Sequence, residues 1–247
     1  MKVLYFTATG NNLYIAKRLS GECFSIPKLL KEGCFNIEDE KIGIIFPVFH
    51  GGVPKIVEEF LDKSNLKGSY IFGIASYGSF VGGATQHLLE IGERNGVKFS
   101  YIDKILMIDN WLPIFDINRE RKKEARKNIE QNLNRIINNV KENKVYIKRK
   151  SIFGNHVRIL QLKKYNVQFE KKFSVESNCN GCKVCEKVCP VDNIKIDRSP
   201  YFEGNCQQCL ACTHNCPQNA IRLKRERSKA RFTNQNVSLK EIIAAND

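Results

Sequence analysis

Between residues 179 and 216 the chain places eight of its ten cysteines in two copies of one run. Cys179, Cys182, Cys185 and Cys189, with Pro190 and Ile194 behind them, return 27 residues later as Cys206, Cys209, Cys212 and Cys216, with Pro217 and Ile221. Disulfides are the wrong reading of such spacing unless the chain is secreted. At the N-terminus the apolar stretch Met1–Phe6 breaks into Thr7-Ala8-Thr9-Gly10, too early for a secretory signal, so a cytoplasmic chain with reduced thiols is expected. Metal is then the expected partner of the thiols. Three thiolates, with two residues between each and the next, wrap three corners of a [4Fe–4S] cube, and a fourth before a proline points away. Structural zinc is the competing reading. It also favours paired cysteines, but it gives no reason for a third at the same interval with Cys-Pro after it. Cys23 and Cys34 lie far from the repeat and are expected as small buried or half-buried residues, and His214 as a packed or surface residue rather than a ligand.

The first 115 residues follow another logic. Val3–Phe6, Ile42–Phe46 and Tyr70–Ala75 are short apolar runs of strand length that read as buried strands, as does roughly Phe99–Met107, with a short fifth at Cys23–Ile26. Amphipathic stretches at Asn12–Leu19, Pro54–Leu61 and Ala84–Glu93 separate them, and a long one follows over Ile117–Asn143. Fully apolar strands alternating with helices predict an α/β domain with a doubly wound, parallel, five-stranded sheet. The expected division is 1–143 for this domain, 144–173 for a basic connector with one short helix, 174–224 for a small α+β cysteine domain, and 225–247 for a polar tail laid over the surface or frayed.

Three loops leave the carboxyl ends of these strands, where ligands bind open α/β sheets. The first is Thr7-Ala8-Thr9-Gly10-Asn11-Asn12, running straight into a helix. Hydroxyls, a glycine and free helix-start N–H groups suit a phosphate monoester. The loop lacks both the lysine of a nucleotide-triphosphate loop and the spaced glycines of a dinucleotide site. The second loop carries Val48, Phe49, His50, Gly51 and Gly52, and the third Ser76, Tyr77, Gly78, Ser79, Gly82 and Gly83.

At Thr7-x-Thr9-Gly10-x-Asn12 the chain resembles the flavodoxin family, with an amide at the last position where flavodoxins usually carry a hydroxyl. The resemblance implies that Thr7–Asn12 hold an FMN phosphate and that the loops at 48–52 and 76–83 flank the isoalloxazine, with Phe49 and Tyr77 as stacking candidates. The cysteine runs resemble those of two-cluster bacterial ferredoxins. That resemblance implies crossed ligation: Cys179, Cys182, Cys185 and Cys216 on one cluster, and Cys206, Cys209, Cys212 and Cys189 on the other. The two together resemble the flavodoxin–ferredoxin fusion proteins of anaerobes, over roughly 1–143 and 174–224.

Charge is uneven. Residues 1–115 balance, whereas 116–172 hold 17 Lys/Arg against 6 Asp/Glu, most of the chain's net +14. No aromatic-interleaved basic stripe accompanies this excess, so a solvated face or an acidic redox partner, a ferredoxin or flavodoxin, is expected before nucleic acid. No apolar stretch is long enough to span a bilayer. The expected function is electron transfer between two [4Fe–4S] clusters and FMN. The alternative is an FMN-dependent reductase of a small molecule, with His50, Tyr77 or Asp109 as proton donor. A zinc-stapled nucleic-acid binder stands third.

Overall fold

The computed structural model describes residues 1–147 and 168–247. The expected strands and helices appear with shifts of a residue or two: β1 (Lys2–Tyr5), α1 (Asn11–Arg18), β2 (Glu22–Ser25), α2 (Ile26–Glu32), β3 (Asn36–Glu38), β4 (Lys41–Pro47), α3 (Lys55–Lys63), β5 (Asn65–Lys67), β6 (Tyr70–Tyr77), α4 (Ala84–Arg94) and β7 (Phe99–Leu106). Helix α2 and the small parallel pair β3–β5 are additions to the sequence reading. The segment over 117–143 is broken rather than continuous. Helix α5 (Ile117–Lys122) ends, a 3₁₀ turn follows, and Asn128 takes a left-handed conformation before α6 (Ile129–Lys141). Strand β8 (Tyr146–Ile147) comes next, so the sheet has six parallel strands in the order β2-β1-β4-β6-β7-β8, not five. The extra strand is two exposed residues at the edge, inside the stretch expected as a connector. Residues 148–167 of that connector lie outside the described residues; within the described part, a short 3₁₀ helix spans Phe169–Lys172.

Strands β4 and β6 are buried along nearly their whole length, as strands covered on both faces must be. The chain winds outward from β1 to β2 and then returns to β4 on the other side, so the order reverses between β1 and β4. Their carboxyl ends open the crevice where such sheets bind ligands.

The cysteine-rich part adds β9 (Phe173–Val175), α7 (Val184–Lys187), β10 (Ile194–Asp197), β11 (Ser199–Phe202), α8 (Ala211–His214) and β12 (Ile221–Leu223). The repeat persists in the backbone. Helices α7 and α8 start 27 residues apart, and so do the left-handed residues Gly181 and Gln208, Lys183 and Leu210, and Asp192 and Asn219. A left-handed conformation costs a non-glycine residue of order 1–3 kcal/mol, so its recurrence shows that the two cysteine runs impose one local path.

After residue 224 the chain does not fray. It ends in α9 (Leu239–Asn246), started by a reciprocal Ser238–Glu241 capping box. Ile242 and Ala245 are buried in the same apolar cluster as Val3, Tyr5 and Ile15 of the sheet domain, and Val188 and Ala211 of the cysteine-rich part join them there. A second shared cluster brings Ile108, Leu112 and Ile117 against Phe169, Leu210, Leu223 and Phe232. The two parts therefore share core. Cys23 and Cys34 are exposed, against the expectation of burial: Cys23 sits on the edge strand β2, and Cys34 follows the end of α2.

Candidate functional site

The eight repeat cysteines fall around two cavities. One is lined by Cys179, Cys182, Cys185 and Cys216, the other by Cys189, Cys206, Cys209 and Cys212. Each takes three thiols from one run and the fourth from the other. Backbone N–H groups of Asn193, Gln208 and Ala220 donate to the sulfurs of Cys189, Cys206 and Cys216, each at 3.3 Å. Such donors stabilise thiolate charge and tune a bound cluster. Burial pushes the Cys185 thiol up to about 12 and Cys206 up to about 11, and raises Cys209 and Cys212 as well. Thiols so far above neutrality would ionise only against a compensating cation such as a bound metal. Each cavity thus gathers four thiols in the crossed pairing, although among the described residues no group of three or more His, Cys, Asp or Glu is placed so that it could hold a metal ion as it stands. His214 is no ligand. It is buried, with Nδ1 accepting from the Phe232 N–H at 3.1 Å and Nε2 donating to the Asn110 carbonyl at 2.8 Å.

A cleft of about 290 Å³ lies at the carboxyl end of the sheet. Of the residues expected there, Thr7, Ala8, Thr9, Asn11, Asn12, Val48, Phe49, His50, Gly51, Ser76, Tyr77, Gly78 and Ser79 line it. Gly10, Gly52, Gly82 and Gly83 do not line it. Gly10 takes a φ of 94°, which only glycine adopts without strain, and turns the chain into α1 with no side chain to cap it. The first N–H groups of that helix are thus left for an anion. The Gly52 and Phe49 backbones bond each other in a tight turn, and Gly83 donates to the Gly51 carbonyl at 2.9 Å.

Both threonine hydroxyls of the first loop are buried and poised as donors. Thr7 Oγ1 accepts from the Gly10 N–H at 3.1 Å, and Thr9 Oγ1 accepts from Asn110 Nδ2 at 2.7 Å. Each hydroxyl proton is left for another acceptor. With an uncapped helix start and no lysine in the loop, this cradle fits a phosphate monoester held by neutral donors.

A fourth loop, absent from the sequence reading except for Asp109, completes the cleft with Met107, Ile108, Asn110, Trp111, Ile114 and Phe115. It follows β7, and the rule that ligands gather beyond the carboxyl ends of strands was the signal for it. Burial raises the Asp109 carboxyl, although the Trp111 N–H and Ser79 bond to it. Its side chain lies so close over Gly78 that a Cβ there would stand 2.4 Å from it. Phe49 meets Phe6 edge-on at 5.9 Å, which ties it partly to the core, while Trp111 stacks on Phe169 at 5.5 Å and meets His50 edge-on. Burial lowers His50, whose Nε2 donates to Gln208 Oε1 at 3.2 Å. Gln208 and Cys209 themselves line this cleft, so it abuts the second cysteine cavity.

Residues 174–195, which hold the first cysteine run, match the family model of the 4Fe-4S binding domain. No curated protein matches the chain. Among solved structures, the chain is similar to a flavoprotein from Lactobacillus acidophilus NCFM in complex with FMN, at 14% identity, covering 42% of this chain and 91% of that one, with a TM-score of 0.33. It is also similar to chains described as flavoproteins from Bacteroides uniformis ATCC 8492 (15% identity, 49% and 94% covered, TM-score 0.34) and Bacteroides eggerthii DSM 20697 (18%, 49% and 92%, 0.32). The fold assignment rests on the strand order itself. That order is the flavodoxin-like one with an added edge strand, and it is followed by a region whose first cysteine run matches a 4Fe-4S binding domain. No described helix is long and apolar enough to cross a membrane.

Proposed function

We propose that the chain is an electron-transfer iron–sulfur flavoprotein that passes electrons between two [4Fe–4S] clusters and FMN. The crossed cysteine sets hold the clusters, and Thr7–Asn12 hold the FMN phosphate. The carrying observation is that Cys209 lines both the second cysteine cavity and the cleft. When bound, FMN exchanges two electrons and each cluster one, which is the chemistry a carrier between unlike donors needs. The protein's residues bring the sites together and set their surroundings. Cys182 is exposed and Cys179 half-buried, whereas Cys212 is buried, so the first cavity is the side open to an external partner. The partner favoured by charge is an acidic redox protein.

Anaerobic purification followed by iron, sulfide and flavin quantification tests the reading, with visible and paramagnetic spectra. FMN with about eight iron atoms per chain supports it; zinc, or FAD in place of FMN, overturns it. A reductase of a small molecule is favoured by one observation, the half-buried Asp109 carboxyl in the cleft, whose pKa is raised. Steady turnover with a small oxidant that is lost in Asp109→Asn distinguishes that reading from one-electron exchange with a protein carrier.

A further inference from the structure

Three consecutive carbonyls of the phosphate loop are held by groups from the far end of the chain. Thr7 O accepts from Asn246 Nδ2 at 3.4 Å, Ala8 O from Asn215 Nδ2 at 3.0 Å, and Thr9 O from the Asn234 N–H at 2.8 Å. In a trans peptide the C=O and the following N–H point opposite ways. Drawing three carbonyls outward therefore turns the intervening N–H groups to the other side of the loop. The same distal segments set the hydroxyls. Phe232 N–H fixes the His214 tautomer, His214 fixes the Asn110 carbonyl, and Asn110 occupies the acceptor side of Thr9 Oγ1. One continuous hydrogen-bond chain thus runs from the cysteine-rich part to a loop hydroxyl and leaves its proton for an anion.

The position of these residues matters. His214 and Asn215 lie between Cys212, which lines the second cavity, and Cys216, which lines the first. Asn215 also donates to the Ala211 carbonyl, and its Oδ1 is buried without a partner, so its side chain is committed to holding helix α8 against the loop. Whatever fixes Cys212 and Cys216 fixes the two residues that grip Ala8 and Asn110. Resting on the cofactor assignment above, we propose that iron–sulfur occupancy presets the phosphate loop, so that FMN affinity is thermodynamically coupled to the clusters through Asn215 and His214. Coupling of this kind is reciprocal: clusters tighten FMN, and FMN tightens the clusters by the same factor.

The test is a thermodynamic cycle on the full chain, with FMN dissociation constants from flavin fluorescence quenching. Removing iron from the wild-type chain with a chelator should weaken FMN by about fivefold to a hundredfold. Asn215→Ala with both clusters retained should weaken it by about fivefold to tenfold. In iron-free protein the same substitution should cost less than about twofold, because the grip is already lost. Equal costs with and without iron, or FMN binding that ignores iron, overturn the coupling while leaving the cofactor assignment standing. Absence of FMN binding by the cluster-loaded wild type overturns both. A reciprocal measurement needs no variant: saturating FMN should raise, several-fold, the chelator concentration that strips half the iron at equilibrium, and an unchanged midpoint refutes the proposal.

Discussion

His50 donates through Nε2 to Gln208 Oε1 at 3.2 Å, while the backbone N–H of Gln208 donates to the Cys206 sulfur at 3.3 Å. One residue thereby touches both the wall of the cleft and the cysteine cradle. Gln208 also sits in a left-handed conformation, at φ 57°, forced by the path of the cysteine run. Replacing Gln208 by Leu should leave iron and flavin contents unchanged and slow electron exchange between the two sites by about tenfold, read by stopped-flow absorbance. An unaltered rate would show that the contact serves packing alone.

The crossed cysteine sets make a sharp prediction. Cys189 lies in the first run but lines the second cavity. Cys189→Ala should therefore give the same residual paramagnetic spectrum as Cys206→Ala, with about half the iron. A match with Cys182→Ala instead means that each run binds its own cluster.

Thr9 lies 4% exposed with its acceptor side filled by Asn110. Thr9→Val removes the donor that faces the anion and should weaken FMN by about tenfold or more, since a hydrogen bond to a charged group contributes about 1.5–3 kcal/mol. Thr9→Asp sets a carboxylate against the phosphate and should eject the flavin. Full occupancy in both variants would place the phosphate elsewhere.

Much of this was legible because buried parallel strands and a metal run write themselves plainly. Ile42–Phe46 and Tyr70–Ala75 admit few other readings, and the repeated Cys-Pro ends fix the register of the two cysteine units. What stayed hidden depends on distant contacts. Asn215, Asn234 and Asn246 look like ordinary polar residues until the fold brings them to Thr7, Ala8 and Thr9. Strand β8 has two residues and no pattern of its own; pairing with Tyr101 and Ile102 alone makes it a strand. The tail reads as polar, yet Ile242 and Ala245 fall on one face and go into the core.

Asp109 carries a pH signature. Burial raises its folded-state pKa above that of the unfolded chain, so between the two values the folded state binds more protons and stability falls as pH rises. Above the folded value the full cost is present. Asp109→Asn keeps the shape and removes the charge, so it should raise the thermal midpoint at pH 8. The gain should shrink as pH falls toward the carboxylate range. A gain independent of pH would assign it to packing rather than to the charge.

On the proposed function, a carrier that exchanges electrons with the flavin rather than with the first cysteine site would dock on a second face, at the mouth of the cleft. Phe80 and Ile114 line it with 48% and 64% of their surface exposed, large apolar side chains in open water. Beside Ile114, around a shallow hollow shared with Phe115, lie Arg119, Lys123 and Arg227 together with Asp116 and Glu120, Lys123 being paired to Glu120 at 2.6 Å, so the margin carries a small basic excess. An apolar centre with a basic margin complements an acidic redox protein with an apolar centre of its own. The net +14 of the bare chain overstates the attraction. Two clusters with their thiolates carry about −2 each and an FMN phosphate up to about −2, leaving roughly +8. Redox encounters are small and brief, so such a field acts chiefly on the association rate. With an acidic two-cluster ferredoxin as probe, the second-order rate should fall steeply as salt rises, and neutralising Arg119, Lys123 and Arg227 together should lower it about tenfold at low ionic strength. Neutralising Arg121, Lys122 and Lys123 removes as much charge but only one member of this margin, and should cost less. Equal losses would mean that net charge alone steers the partner, and rates indifferent to salt and to both triple changes would mean that the basic surface is only solvated.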